Sequence, residues 1–321
     1  VSIILIAFST PTNIKVSEDM RVDQILLKLG DKKPLHYVDQ LDTMKVRQGM
    51  ELVTKGFTTD ANGKQTTKQS RYFLCTDCHN IVQQDPDLAN PTPEARLDYA
   101  IKNGLPFLQG TTLYGVVNRE HWYNDDYAKK YGSLVAPCRD TLENALQLCA
   151  TTCSQGRALE DWEMDAMMHY LHSIGFTTSD LGIDNTELSN IKAAANSDKR
   201  EGKLKQVKAK FENISHATFL DPMPIGERKA GEKGDAKKGE AIYGQSCMHC
   251  HEDGGVTNFV LNKENVDFKY LQNKMKSNTH GSIYYILRKG TYAKNGYHPY
   301  MPNYTLERLS HQQMEDLAAY I

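Results

Sequence analysis

Cys75-Thr76-Asp77-Cys78-His79 and Cys247-Met248-His249-Cys250-His251 share one form, Cys-x-x-Cys-His. Two thiols at that spacing can reach the two vinyl groups of one porphyrin, and the next residue sets an imidazole under the iron. This is the attachment signature of c-type haem. A thioredoxin-like redox pair has no need of the histidine, and a zinc half-site needs a second half of similar spacing. The motifs predict two covalently bound c-type haems, attached through Cys75, Cys78, Cys247 and Cys250. His79 and His251 are the expected proximal ligands.

A chain of 321 residues suggests about two domains, which fits one haem in each. The net charge of -2 gives no ground for a nucleic-acid partner, and the basic stretch Lys203 to Lys210 reads as a solvated helix face. Covalent haem attachment takes place on the far side of the bacterial cytoplasmic membrane, so a periplasmic-side location is expected. Disulfides are permitted there. Cys138, Cys149 and Cys153 lie outside the motifs, an odd set that suggests one pair and one thiol with another task. The opening Val1 to Phe8 is apolar but too short for a span, which needs ~20 apolar residues. It reads as the remnant of an anchor or as a segment packed on a partner, giving an expected membrane association.

Working outward from the motifs, Asp42 to Thr54 reads as a helix leading into the first, and Asp235 to Tyr243 as its counterpart before the second, with Gly239 available for a close crossing. Glu160 to Ser173 and Ser310 to Ile321 are the matching last helices. Ser310 is placed as an N-cap, with Met314, Leu317 and Ile321 on one face. Strand signals are sparse. The fold class is therefore all-α, with two tandem cytochrome c-like haem domains and long loops. The expected divisions are an N-terminal extension over 1–40, a first haem domain over 41–175, a linker with surface helices over 176–233 and a second haem domain over 234–321.

Met301 lies in Tyr300-Met301-Pro302-Asn303-Tyr304, just before the last helix. A thioether there is expected as the sixth ligand of the second iron, a pairing with His that raises the potential. A core Met is the plain alternative, and His298 and Lys294 are nearby substitutes. This half resembles a class I cytochrome c domain.

No such loop follows His79. In its place runs Thr141-Leu-Glu-Asn-Ala-Leu-Gln-Leu-Cys149-Ala-Thr-Thr-Cys153-Ser-Gln-Gly156. The stretch from about Met44 to Gly175 resembles the haem-thiolate cytochromes of bacterial sulfur oxidation, the dihaem thiosulfate dehydrogenases and their relatives. The resemblance rests on the Thr-Leu-Glu run and on the spacing of Cys149 to Gly156. It implies Cys149 as the thiolate on the first iron and as the catalytic residue of any sulfur chemistry, with a Cys138–Cys153 disulfide beside it. The family's basic residues near that cysteine are replaced by Ala145 and Thr152, which removes the main source of anion binding. Arg119, Arg139 and Arg157 are the arginines that could substitute. Met167, Met168, His169 and Cys153 are the other candidate ligands, and a Cys149–Cys138 disulfide is the plain alternative. Tyr114, Trp122 and Tyr123 are expected to wall the first haem, with Arg119 or His121 facing its propionates.

These readings favour a dihaem cytochrome that carries electrons between redox partner proteins such as a membrane complex, an oxidase or a small cytochrome. An oxidoreductase acting on small sulfur compounds stands second, and a dihaem peroxidase third.

Overall fold

The computed structural model describes residues 19–257, 259–261, 266–291 and 300–321. The expected anchor remnant at the N-terminus, Lys294 and His298 lie outside them. Helix makes up 48 % of the chain, and no strand or sheet occurs among the described residues, so the class is all-α. Through the first half run α1 (Val22–Lys28), α2 (Thr43–Lys55), α3 (Pro93–Asn103), α4 (Asp125–Tyr131), α5 (Leu142–Leu148) and α6 (Asp161–Ser173). Then come α7 (Asn185–Ala194), α8 (Arg200–Lys208), α9 (Ala236–Ile242), α10 (Met248–His251), α11 (Val266–Lys274), α12 (Ile283–Lys289) and α13 (His311–Tyr320).

Each half is built on the crossing of two helices, α2 with α6 and α9 with α13. Asp42 starts α2 by accepting the Met44 and Lys45 amides, and Gly56 ends it in the left-handed region. Ser310 starts α13 by accepting the Gln313 amide. At both crossings a glycine lets the backbones touch. A Cβ on Gly49 would collide with the Ala166 carbonyl, and one on Gly239 with the Asp316 carbonyl. Because those obstacles are backbone, relief requires the helices to part. Gly239→Ala is expected to cost about 1–3 kcal/mol of stability, read as a lower urea midpoint at unchanged slope; an unchanged midpoint would show that the crossing can slip.

The halves are not independent globules. α3 belongs to the first by sequence, yet Leu97, Ala100 and Phe107 are buried in the core of the second with Ile242, Tyr284 and Leu317. Polar bonds stitch the same seam. The Phe107 amide donates to the Gln245 carbonyl at 2.9 Å, Arg96 to the Glu307 carbonyl at 2.9 Å and Gln313 to the Pro93 carbonyl at 2.7 Å.

The stretch read as a linker carries a third core. Leu188, Ile191 and Val207 from α7 and α8 pack with Val22, Ile25 and Leu26 of α1. Buried His172 ties this layer to α6, its Nδ1 lying 3.0 Å from Asp23 and its Nε2 2.9 Å from the His36 carbonyl. No helix among the described residues is long and apolar enough to cross a membrane.

Candidate functional site

Both Cys-x-x-Cys-His motifs present their histidine in the same way. His79 Nδ1 lies 2.6 Å from the Thr111 carbonyl, and His251 Nδ1 lies 2.8 Å from the Phe259 carbonyl. A carbonyl can only accept, so each ring carries its proton on Nδ1, and Nε2 is left with its lone pair for a metal. Gly110 makes the first of these contacts reachable. A Cβ there would sit 2.6 Å from the His79 ring and 2.5 Å from the Cys78 carbonyl, so only glycine lets the chain lie flat on the imidazole.

All seven cysteines are free thiols. Those of the motifs are half-buried, and desolvation pushes Cys75 and Cys250 up to about 11 and Cys247 up to about 12. Neither motif has closed into a disulfide. Two unbridged thiols and an imidazole with a free Nε2 are the donor set that a c-type haem takes, so the residues fit the group in both halves.

The motifs also approach each other across the seam: the Phe107 amide holds the Gln245 carbonyl, two residues before Cys247, and the Asp77 carboxylate is near enough to Cys250 to help keep its thiol protonated. Nothing in the spacing of either motif foretells this juxtaposition.

On the far side of the first motif, α5 widens into a π-turn over Cys149–Cys153. Such turns are rare and cluster at functional sites. The wider turn brings Cys153 over Cys149, and the two thiols interact directly. The neighbouring Cys153, together with burial near Cys75 and Cys78, holds the Cys149 thiol protonated. A metal would be needed to make it a thiolate. The turn is strapped from behind: Gln69 donates to the Ala150 and Arg157 carbonyls at 2.7 and 3.0 Å, and the Ser70 hydroxyl to the Ser154 carbonyl at 2.5 Å. Gly156 is required because a Cβ would strike the Gln69 carbonyl.

The expected Cys138–Cys153 disulfide is absent. Cys138 Sγ donates to the Asn144 carbonyl at 3.3 Å, while the π-turn faces Cys153 towards Cys149. Of the other ligand candidates, Cys153 lies against Cys149, Met167 and Met168 are buried in the first core, and His169 Nδ1 accepts the Asp42 amide.

Tyr123 is largely buried, its hydroxyl raised by that burial and by the nearby Cys153 and Cys149. Tyr114 instead donates to Asp180 at 2.6 Å in the third core, and Trp122 donates to the Val116 carbonyl at 3.3 Å and packs edge-on against His36. His121 pairs with Asp140 at 2.5 Å on the surface. Of the arginines weighed for anion binding, Arg139 pairs with Asp125. Arg157 holds Glu163 with both terminal nitrogens, at 2.6 and 2.5 Å. Arg119 lies towards His79.

The sequence reading passed over Tyr300. It belongs to the Met301 loop of the second half, but its hydroxyl is raised by burial close to Cys153, Cys78 and Cys149, and its ring meets Phe73 edge-on at 5.4 Å. The available signal was its position next to the candidate ligand. Met301 itself packs against the second core. Its amide donates to Thr291 Oγ1 at 2.8 Å and its carbonyl accepts the Thr291 amide at 2.8 Å, so its backbone is pinned on both sides.

Residues 234–321 match the family of cytochrome c oxidase, cbb3-type, subunit III. No curated protein and no solved structure matches the chain. Residues 234–321 are thus a cytochrome c domain, a type that carries covalently bound c-type haem and transfers electrons through it.

Proposed function

We propose that the chain is a dihaem c-type cytochrome that moves electrons between redox partner proteins on the outer side of the bacterial cytoplasmic membrane. Cys75 and Cys78 would hold one haem and Cys247 and Cys250 the other, with His79 and His251 bound to iron through Nε2. Cys149 and Met301 would take the opposite axial positions. Such groups supply one-electron acceptors whose potentials follow their axial ligands.

The protein's own part is positional. The Thr111 and Phe259 carbonyls orient the imidazoles. The seam of α3 against the second core holds the motifs together, and the Gln69–Ser70 strap holds the Cys149 turn over the first site. The observation that carries the reading is the seam itself, where the Phe107 amide donates to the Gln245 carbonyl, two residues before Cys247, and Arg308 of the second half donates to the carbonyl of Gly110, which lies against His79. It supports passage from one haem to the other within one molecule. A thiolate at the first site and a thioether at the second would make that passage downhill. The likeness of the second half to an oxidase subunit supports an oxidase or its donor as one partner.

Two measurements test this. A pyridine haemochrome assay should return two c-type haems per chain. After a sub-stoichiometric pulse of reductant, electrons should redistribute between the haems at a rate independent of protein concentration. One haem per chain, or a rate proportional to concentration, overturns the reading.

A second reading, oxidation of small sulfur compounds at Cys149, is favoured by the paired thiols of Cys149 and Cys153. Against it, Arg139 and Arg157 are spent on Asp125 and Glu163. Thiosulfate added to the oxidised protein should leave the haem α-bands unchanged; their reduction at a catalytic rate would promote this reading over the first.

A further inference from the structure

A cleft of about 670 Å³ lies behind His79, where three parts of the chain converge. The first half supplies Arg96, Thr111 and Arg119, the stretch after α8 supplies Glu212, and the second half supplies Glu307 and Arg308. Thr111 is the residue whose carbonyl holds His79.

Most cations around the cleft are already matched. Arg96 pairs with Asp85 at 2.9 Å, Lys205 with Glu201 at 2.7 Å, and Lys208 with Asp31 and Glu120 at 2.8 and 2.5 Å. Arg119 is different. Its side chain is only 10 % exposed, its nearest carboxylate is Glu212 at 3.9 Å, and its guanidinium makes no hydrogen bond among the described residues. At that distance Glu212 lies beyond hydrogen-bonding reach of the guanidinium, and burial raises its carboxyl pKa. Arg308 is buried too and donates only to neutral acceptors, the Leu108 and Gly110 carbonyls and Gln84 Oε1. Two guanidiniums therefore stand at one wall with no carboxylate in hydrogen-bonding reach. A guanidinium so placed keeps its charge unmatched unless an anion supplies oxygens to it.

We infer that this cleft binds a small, doubly charged oxyanion, gripped by Arg119 and held in the field of Arg308, on the proximal side of the first motif. The planar fork of a guanidinium matches two oxygens of a tetrahedral anion. The ligand sits behind the imidazole: Nδ1 faces Thr111, and Nε2 points away from it. Negative charge placed there stabilises the oxidised form of whatever iron His79 holds, so binding lowers the first potential and leaves the second almost unmoved. That consequence rests on the two-haem reading, whereas binding itself does not, and the two can fail separately.

The test titrates the purified holoprotein with sodium sulfate by calorimetry, ionic strength being held constant with chloride. Saturable binding at one site is expected. Arg119→Gln should weaken it by at least ~10-fold, and Glu212→Gln, which removes the competing carboxylate, should tighten it. Redox titration should show the first potential falling with sulfate in the wild type and not in Arg119→Gln. Absence of saturable binding, or equal affinity in both variants, overturns the proposal. So does a first potential that shifts in Arg119→Gln without any added anion while sulfate has no effect on the wild type, the pattern expected if Arg119 instead pairs with a carboxylate of the haem.

Discussion

Replacing Cys149 by Met is expected to raise the reduction potential of the first haem by on the order of hundreds of millivolts, with the haem still covalently attached. Attachment persists because it depends on Cys75 and Cys78, not on Cys149. The potential rises because a thiolate stabilises ferric iron with a full negative charge, whereas a thioether donates weakly and favours the ferrous state. A Met side chain can take the place, since the π-turn over Cys149–Cys153 is held by the Gln69 amide and the Ser70 hydroxyl bonding to its carbonyls rather than by the thiol. The measurement is a spectroelectrochemical titration of both haems. If the first potential stays where it was, Cys149 is not on the iron, and the case for sulfur chemistry goes with it. Should Cys153 be the ligand, the parallel Cys153→Ser variant will show the shift and Cys149→Met will not.

The second large effect concerns Met301. Met301→Ala should abolish the weak near-infrared sulfur-to-iron band of the oxidised protein and lower the second potential, because a His/Met pair is what keeps it high. The fold should survive. The Met301 amide and carbonyl are both tied to Thr291, and neither bond uses the side chain. Urea unfolding of the same variant separates loss of a ligand from loss of the loop. A band that persists unchanged sinks the assignment.

The helix crossings and the motifs were legible because each is local. Asp42 and Ser310 cap the helices that follow them, and a Cys-x-x-Cys-His run needs only its own spacing. What escaped depends on partners far along the chain. α3 gives Leu97 and Ala100 to the other half's core, and nothing within α3 reveals that destination. The basic run near Lys208 reads as a solvated face, yet Lys208 is tied to Asp31 of the N-terminal layer. Cys138 and Cys153 look like leftovers to be paired. Pairing by elimination fails here because a π-turn rotates Cys153 onto its own neighbour. Arg308 was invisible for the same kind of reason, since its acceptors at Leu108 and Gly110 lie two hundred residues upstream.

Tyr300 and Met301 are adjacent in sequence but serve different cavities, one closing over the cysteines of the first half and the other packed into the second. One short loop, its backbone held by Thr291, therefore contributes a side chain to each half, so a change to the backbone between Tyr300 and Met301 should be felt on both sides of the seam.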